Sequence, residues 1–428
     1  MNYPGSVADR GSIHGRLGTP GTGTLATHAL TQTGRSVIVP GMSAPTPASR
    51  LPDIGTTIFT IMSNAASEHG AINLAQGFPA FDPPRALLER VTHHLNAGHN
   101  QYAPMAGVPA LTQEIANQIE SSQGKDLDPA NTITVTAGAT EGLFCAIQAV
   151  LQPADEAIVL DPAYDSYAPA IRLAGARPVH VPLGVKPAGD FRVDWDRLAD
   201  AITPKTRLVI INFPHNPTGA VLTRDDLDTL AGLMRDTRAL LIADEVYEHI
   251  VFEDGGHTSV LAHDELRDRA LVVSSFGKSL HATGWKIGYC VAPERLTREF
   301  RKLHQFANFA VSTPMQYAIA DFLTAHPDFA ADLSRFYARK RDVFLDALKG
   351  SRFRFVPAKS TFFQLLDYSE ISATPDQQLA LQWTANPGVA SIPVSVFCTD
   401  VPDARLLRFC FAKDDATLVD AAERLAEL

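Results

Sequence analysis

The sequence predicts an α/β protein with a mostly parallel, seven-stranded sheet covered by helices, together with a smaller α+β domain. Seven apolar runs of strand length alternate with helical patterns over residues 81–325, and this alternation is typical of a parallel sheet. Beyond them the apolar runs become shorter and more separate, which favours a second domain. The length of 428 residues agrees, because a single core rarely grows beyond ~250–300 residues.

The large domain is predicted to span residues 81–325. Its strands are expected at Thr132–Thr136, Ala157–Leu160, Arg177–Val181, Leu208–Asn212, Leu240–Ala243, Ala270–Ser274 and Ile287–Val291. Its helices are expected at Arg85–Ala97, Val108–Gln123, Glu141–Leu151, Tyr167–Leu173, Arg224–Arg235 and Leu296–Ala310. Side chains that follow such strands meet at one edge of the sheet, where ligands of open α/β folds bind.

The smaller domain is predicted to take up residues 326–428. It begins with a long amphipathic helix over Phe329–Lys349. Strands are then expected near Phe353–Pro357, Thr361–Leu366, Val389–Pro393 and Leu406–Phe411.

The first 47 residues have a different composition, rich in Gly, Ser, Thr and Pro and without apolar periodicity. This composition predicts a flexible leader. Asp9 is its only acid, so an organelle transit peptide is an alternative, but glycine and proline disfavour the amphipathic helix that such a peptide needs. Met42 directly precedes the ordered-looking sequence, and we hypothesise that translation starts there.

Overall composition limits the class of protein. The net charge is −10, from 37 basic and 47 acidic residues, which argues against non-specific binding to nucleic acid or anionic membranes. No apolar run is long enough for a membrane helix. The four cysteines contain no Cys-x-x-Cys pair, so we expect reduced thiols in a cytoplasmic protein and no metal site.

Three motifs follow three successive strand-like runs. They are Asn212–Gly219, Ala243–Tyr247 and Val273–Ser279. Together they bring an amide, a carboxylate with a phenol, and a lysine to the carboxyl ends of neighbouring strands. Taken singly, the lysine is explained as a surface residue and the asparagine as a turn residue. The three motifs in this order are a much more specific signal of a binding site.

Pyridoxal phosphate chemistry requires this set of side chains. Lys278 is the expected Schiff-base residue, and its free amine can later move a proton at the substrate α-carbon. Asp244 is expected to keep the pyridine nitrogen protonated, so that the ring can withdraw electrons. Tyr247 and Asn216 are assigned to the phenolic oxygen of the ring.

Four further segments carry a family resemblance: Asn73–Pro79, Gln101–Pro104, Thr136–Gly142 and Arg405–Ala412. With the three motifs, the chain from about Leu51 onward resembles the fold-type I, class I aminotransferases that use pyridoxal 5'-phosphate. The resemblance is closest to the branch that contains methionine and kynurenine aminotransferases. It implies that residues 48–80 form an N-terminal arm that completes the small domain.

The predicted phosphate site lies where the strand at Thr132–Thr136 breaks into a helix beginning near Ala139. Free backbone N–H groups at a helix N-terminus form an anion site. The phosphate residues are expected to be Ala139, Thr140, Ser275 and Lys286. Many related families have arginine at the position of Lys286. For Thr140, a helix N-terminal residue without a ligand is an alternative.

The resemblance assigns further roles to single residues. It implies that Tyr164 stacks on the pyridine ring and that Asn216 also touches the substrate carboxylate, with a cis bond before Pro217. Tyr102 resembles the residue that reaches the cofactor phosphate of a second subunit, which implies a homodimer with shared active sites.

Two residues are expected at the substrate. Arg408 lies within an apolar run, so it needs an anionic partner, and the α-carboxylate of an amino acid suits its planar fork. A structural salt bridge is the alternative. Gly77 is expected to let the backbone approach the same carboxylate.

The predicted reaction is ping-pong transamination from an L-amino acid to a 2-oxo acid. Methionine is the favoured donor, followed by aromatic and other large neutral amino acids. No second arginine is visible for a side-chain carboxylate, and Asn308–Ser312 lacks the histidine of kynurenine-type enzymes. The alternatives are a cysteine-conjugate β-lyase and a non-enzymatic, aminotransferase-like regulator, which would need a DNA-binding module ahead of the fold.

Overall fold

The computed structural model describes residues 47–399 and 404–428, and Arg50–Leu428 form one compact unit. Residues 1–46, which include the predicted start at Met42 and nearly all of the predicted leader, lie outside the described residues. No helix in the described part of the chain is both long and apolar enough to cross a membrane.

The strands are β1 (Ile72–Asn73), β2 (Ile133–Thr136), β3 (Glu156–Asp161), β4 (Arg177–Pro182), β5 (Gly184–Lys186), β6 (Asp190–Arg192), β7 (Thr206–Asn212), β8 (Leu240–Asp244), β9 (Ala270–Ser275), β10 (Gly288–Val291), β11 (Phe363–Asp367), β12 (Val389–Ala390), β13 (Ile392–Pro393) and β14 (Leu406–Cys410).

The helices are α1 (Ile58–His69), α2 (Arg85–Asn96), α3 (Pro109–Gln123), α4 (Pro129–Thr132), α5 (Gly138–Val150), α6 (Tyr167–Leu173), α7 (Trp195–Ala201), α8 (Arg224–Arg235), α9 (Asp264–Arg267), α10 (Phe276–Ser279), α11 (Glu294–Ala307), α12 (Thr313–Ala325), α13 (Phe329–Ala347), α14 (Asp376–Ala385) and α15 (Asp415–Ala426).

The main sheet has seven strands in the order β2-β10-β9-β8-β7-β3-β4. Neighbouring strands are parallel except β10, which is antiparallel to both β2 and β9. The register sets Asn212 opposite Asp244, and Asp244 opposite Val273. The predicted mostly parallel seven-stranded sheet is therefore confirmed, and its three polar motifs leave the sheet at one edge.

Both faces of this sheet are apolar. On β7, Val209 and Ile211 pack on one face, whereas Leu208 and Ile210 pack on the other. Successive side chains of a strand point to opposite faces, so a strand covered on both sides reads as a continuous apolar run. That is why these strands were recognisable in the sequence.

A separate core joins the two ends of the described chain. β1 pairs with β12 in parallel, with Ile72 opposite Val389. β11, β14 and β13 form a three-stranded antiparallel sheet beside them. Met62 of α1 is buried in the same cluster as Phe409 of β14. The domain boundaries at residues 80/81 and 325/326 stay a prediction.

Some small-domain elements were predicted wrongly. Phe353–Pro357 is not a strand; only Arg354 forms an isolated bridge, to Asp367, and proline cannot donate to a ladder. Val389–Pro393 divides at Ser391 into β12 and β13, which belong to different sheets. Across the described chain, eight helices were not predicted: α1, α4, α7, α9, α10, α12, α14 and α15.

Candidate active site

Lys278 lies at the end of β9, in the short helix α10. The Ser275 hydroxyl caps this helix by accepting a hydrogen bond from the Gly277 N–H at 3.2 Å. Lys278 Nζ donates to the Gly77 carbonyl at 3.4 Å and lies 5.8 Å from the ring centre of Tyr247. Burial lowers the pKa of Lys278 to about 8. About a tenth of this amine is therefore neutral, and nucleophilic, at pH 7, against less than about a thousandth for a lysine with an ordinary pKa.

Asp244 ends the neighbouring strand β8 and is buried. Its carboxylate accepts a hydrogen bond from the Tyr167 hydroxyl at 2.5 Å, and the Val246 N–H lies 3.4 Å away. Burial raises the pKa of Asp244 to about 6, although the Tyr167 bond acts in the opposite direction. Tyr167 was missed as a site residue because nothing in its helical pattern distinguishes it from a core tyrosine.

Asn216 follows β7 and is fixed by Asn212. The Asn212 side chain accepts from the Asn216 N–H at 3.1 Å and donates to the Asp244 carbonyl at 2.9 Å. The Asn216–Pro217 bond is cis, as the resemblance implied. Asn212 thereby links two of the predicted site residues, a role that the sequence did not reveal although it opens the first motif.

Arg408 is a buried cation that has no carboxylate partner among the residues that the structure describes. It is only 1% exposed, and Nη1 donates to Asn216 Oδ1 at 2.8 Å while Nη2 donates to the Ala75 carbonyl at 3.2 Å. Nε has no hydrogen-bond partner among the described residues. The guanidinium stacks 4.0 Å above the Phe363 ring, and burial lowers its pKa to about 10. The structural salt bridge considered as an alternative is absent from the described residues.

The phosphate end is a tight turn between β2 and α5. Gly138 has φ +73°, and a Cβ atom there would lie 3.2 Å from Lys286 Nζ. A Cβ atom on Gly288 would lie 2.6 Å from the Ser274 carbonyl and 3.0 Å from the Ala139 nitrogen. Only glycine fits such positions without displacement, so the backbone N–H groups of this helix start stay accessible.

Two adjoining cavities contain the predicted residues. A cavity of about 190 Å³ is lined by Ala139, Thr140, Leu143, Tyr164, Asn212, Asn216, Asp244, Val246, Tyr247, Ser275, Lys278, Thr283 and Lys286. A second cavity of about 440 Å³ is lined by Phe59, Thr60, Ser63, Asn64, Gln76, Gly77, Phe78, Tyr164, Asn216, Tyr247, Lys278, Phe363 and Arg408. The aromatic wall of the second cavity was not predicted.

Tyr102 is the one predicted site residue that the described chain does not bring to these cavities. Its side chain is 84% exposed and packs edge-on against Phe309, with 5.3 Å between ring centres. Tyr102 therefore lies outside both cavities of its own chain.

The smaller cavity fits pyridoxal 5'-phosphate by the chemistry of its donors. Lys278 would supply an amine for the aldehyde, and Asp244 a carboxylate for the ring nitrogen. Tyr247 and Asn216 would supply hydrogen bonds for the ring oxygen, and the glycine-lined turn with Lys286 would supply positive potential for the phosphate. The fold and this set of donors define a fold-type I pyridoxal-phosphate enzyme.

Comparison with known proteins identifies the family within the pyridoxal-phosphate enzymes to which this chain is similar. Residues 69–425 match the family described as aminotransferase class I and II. A methionine aminotransferase of Escherichia coli is 50% identical over 382 residues, which cover 89% of this chain and 98% of that protein. Kynurenine–oxoglutarate transaminase 1 of Mus musculus is 31% identical, covering 90% of this chain and 98% of its own.

Comparison with solved structures gives the same family. An Escherichia coli protein with a methionine aminotransferase function superposes with a TM-score of 0.88 at 50% identity, covering 90% of this chain and all of that chain. The chain therefore belongs to the class I and II aminotransferases, and its cofactor is pyridoxal phosphate. The predicted enzyme class, cofactor and substrate types, an amino acid and a 2-oxo acid, are confirmed.

Proposed function

We propose that this enzyme transfers the amino group of L-methionine to a 2-oxo acid by a ping-pong mechanism. The observation that supports this proposal most strongly is the position of Arg408. Its buried guanidinium lines the larger cavity together with Lys278 and has no carboxylate partner within residues 47–399 and 404–428. The 50% identity to a methionine aminotransferase supports the donor. We include in this proposal a cytoplasmic location, which the free cysteines and acidic balance support.

Each proposed role follows from the position of the residue. Arg408 binds the α-carboxylate of the amino acid. Asn216, whose Oδ1 lies 2.8 Å from Arg408 Nη1, orients the same carboxylate. The bound cofactor supplies an aldehyde for nitrogen and a ring that withdraws electrons from the α-carbon. Asp244 holds the proton on the ring nitrogen, and Tyr247 donates to the ring oxygen. Lys278 moves the proton at the substrate α-carbon, because its lowered pKa suits both acceptance and donation.

The larger cavity supports an uncharged donor side chain. Phe59, Phe78 and Phe363 form its apolar part. Among the described residues that line it, the cations are Lys278 and Arg408, and both already have roles. A second carboxylate would therefore meet aromatic rings instead of a counter-charge, whereas a thioether packs well against them. Large neutral amino acids come next in order of expected preference.

The test is a single half-reaction without an acceptor acid. Reconstituted enzyme mixed with L-methionine should lose the visible absorbance of its cofactor and release about one 2-oxo acid per site, as ping-pong transfer requires. Lys278→Ala should release none, whereas Lys349→Ala, at an exposed helix end, should behave as wild type. Release of pyruvate and ammonia from a cysteine conjugate, with methionine inert, would instead establish a β-lyase.

We further propose a homodimer in which Tyr102 completes the partner's site. Tyr102, Phe306 and Phe309 are exposed aromatic residues, and exposed apolar groups close to one another mark an interface. Mixing inactive Lys278→Ala with a Tyr102→Ala variant should then restore about a quarter of wild-type activity, because half of the dimers gain one intact site. No restoration on subunit exchange would show that Tyr102 acts only within its own chain.

A further inference from the structure

A buried ion pair lies directly behind the phosphate turn. Glu141 belongs to the first turn of α5, and His304 to α11. His304 Nδ1 is 2.8 Å from Glu141 Oε1, and the imidazole is completely buried. Neither side chain lines the two cavities described above, so any effect on the reaction must act through other residues.

The partners of this pair fix its charges. Glu141 accepts hydrogen bonds from the Ala137 N–H at 3.0 Å and from the Cys145 thiol at 3.0 Å, in addition to His304. The other imidazole nitrogen of His304 faces the Met105 carbonyl at 3.1 Å, and a carbonyl can only accept. Both ring nitrogens of His304 thus face oxygen atoms, an arrangement that an imidazolium beside a carboxylate satisfies with two donated hydrogen bonds.

The direction of the Glu141 pKa agrees with this assignment. Burial alone raises the pKa of Glu141, but the hydrogen bond and charge of His304, together with the hydrogen bonds from Cys145 and Ala137, outweigh burial, and the pKa lies below its usual value. A buried imidazolium is stable only with such a partner.

The pair connects two backbone segments, one proposed to meet the cofactor phosphate of its own chain and the other proposed to meet that of the partner subunit. On one side, Glu141 holds the N–H of Ala137, the residue before Gly138 at the start of the phosphate turn. On the other side, His304 holds the carbonyl of Met105, three residues after Tyr102. A change in the charge of Glu141 or of His304 therefore affects the hydrogen bonds that hold both segments.

We propose that the Glu141–His304 ion pair is a positioning device that holds the phosphate turn ready for the cofactor phosphate of its own chain and the Tyr102 segment ready for that of the partner subunit. This inference rests on the proposed phosphate site at Ala139 and Thr140. It assigns Glu141 and His304 a role in binding the phosphate group, and none in binding the pyridine ring.

The experiment compares two probes on apoprotein: pyridoxal 5'-phosphate and pyridoxal, which lacks the phosphate. Titrations followed by visible absorbance give a Kd for each probe with wild type, Glu141→Gln and His304→Gln. We expect each variant to raise the Kd of pyridoxal 5'-phosphate about tenfold or more, as the loss of a charged buried hydrogen bond requires, with the Kd of pyridoxal within about twofold of wild type.

His94→Gln is the matched control. His94 is a similarly buried histidine that bonds Asp321 at 2.8 Å and His99 at 2.8 Å, away from the phosphate turn. Its substitution should leave the ratio of the two Kd values unchanged. Glu141→Gln preserves side-chain shape and carries the test alone if His304→Gln protein does not fold.

Two results would overturn the inference in distinguishable ways. If wild type prefers pyridoxal 5'-phosphate but the variants keep that preference, the positioning role is wrong and the proposed phosphate site stands. If wild type binds both probes equally, the phosphate site itself is wrong, and the positioning role with it.

Discussion

The cofactor end and the substrate end of this site are built in different ways. At the cofactor end, Asn216, Asp244 and Lys278 follow β7, β8 and β9, three adjacent strands held in register by one sheet. At the substrate end, Arg408 of β14 meets the segment around Gly77, and the Arg408 Nη2–Ala75 carbonyl bond joins residues 333 positions apart. The proposed cofactor residues are thus placed by one sheet edge, whereas the proposed substrate residues are brought together by packing between distant parts of the chain.

Replacing Arg408 with lysine should have the largest effect on the substrate end while leaving the cofactor end unchanged. Lysine keeps the charge but loses the planar fork and two hydrogen bonds, so kcat/KM for methionine should fall about 100-fold. The Kd of pyridoxal phosphate should stay unchanged. Steady-state kinetics and a cofactor titration measure both, with Arg354→Lys on the same domain as control. An equal loss of cofactor affinity would show that the two ends are not independent.

The substitution Gly138→Ala should affect the cofactor end of the site and leave the substrate end unchanged. At φ +73° an alanine is strained, and its Cβ atom would crowd Lys286 at 3.2 Å, so the Kd of pyridoxal phosphate should rise about tenfold. KM for methionine at saturating cofactor should not change. Gly256→Ala, at φ +68° with open space around it, is the matched control for backbone strain. An unchanged Kd in the Gly138 variant would disprove the tight-turn argument.

Tyr167→Phe should shift a pH dependence. Asp244 binds the protonated ring nitrogen only as a carboxylate, so apoprotein affinity for the cofactor should fall as pH drops through about 6. Loss of the Tyr167 hydrogen bond raises the pKa of Asp244 further, and the midpoint should move up by roughly 1–2 pH units. At pH 7 this weakens binding several-fold. Titrations at stepped pH measure the midpoint, and an unmoved midpoint would exclude control by Tyr167.

The smallest predicted effect concerns Lys278 in the apoprotein. The neutral amine attacks the aldehyde, so the rate of cofactor incorporation should rise about fivefold between pH 7 and 8 and level off above about pH 9. A lysine with an ordinary pKa would continue to gain rate up to about pH 10. Rapid-mixing absorbance measures this rate. A rise that continues beyond pH 9 would contradict a lowered pKa.

The same contrast explains what the sequence could predict. Lys278, Asp244 and Asn216 were identifiable because each follows an apolar run, and the fold turns such runs into adjacent strands. Tyr167 escaped notice because its bond to Asp244 joins elements separated by 77 positions, and no local pattern records such a bond. Asn212 was visible as a letter of a motif, but its two hydrogen bonds depend on strand register.

Two further parts of the chain were hard to predict for a related reason: α12, which packs in the core of the main sheet, and the short strands β12 and β13. Helix α12 is buried on most sides, including Ala318, Ile319 and Phe322, so it lacks the polar face that makes an amphipathic helix visible. β12 and β13 are two-residue strands, and their division between sheets is decided by partners elsewhere in the chain. Short elements carry too little periodicity to show where they pair.

The link between Ala75 and Arg408 also orders events during synthesis of the protein. A ribosome that adds about 5–20 residues per second needs roughly 20–70 seconds to make the 333 residues between these partners. The strands that carry Asn216, Asp244 and Lys278 leave the ribosome well before Arg408 does. The arginine that we propose for substrate binding is therefore made after the strands that bring Asn216, Asp244 and Lys278 together.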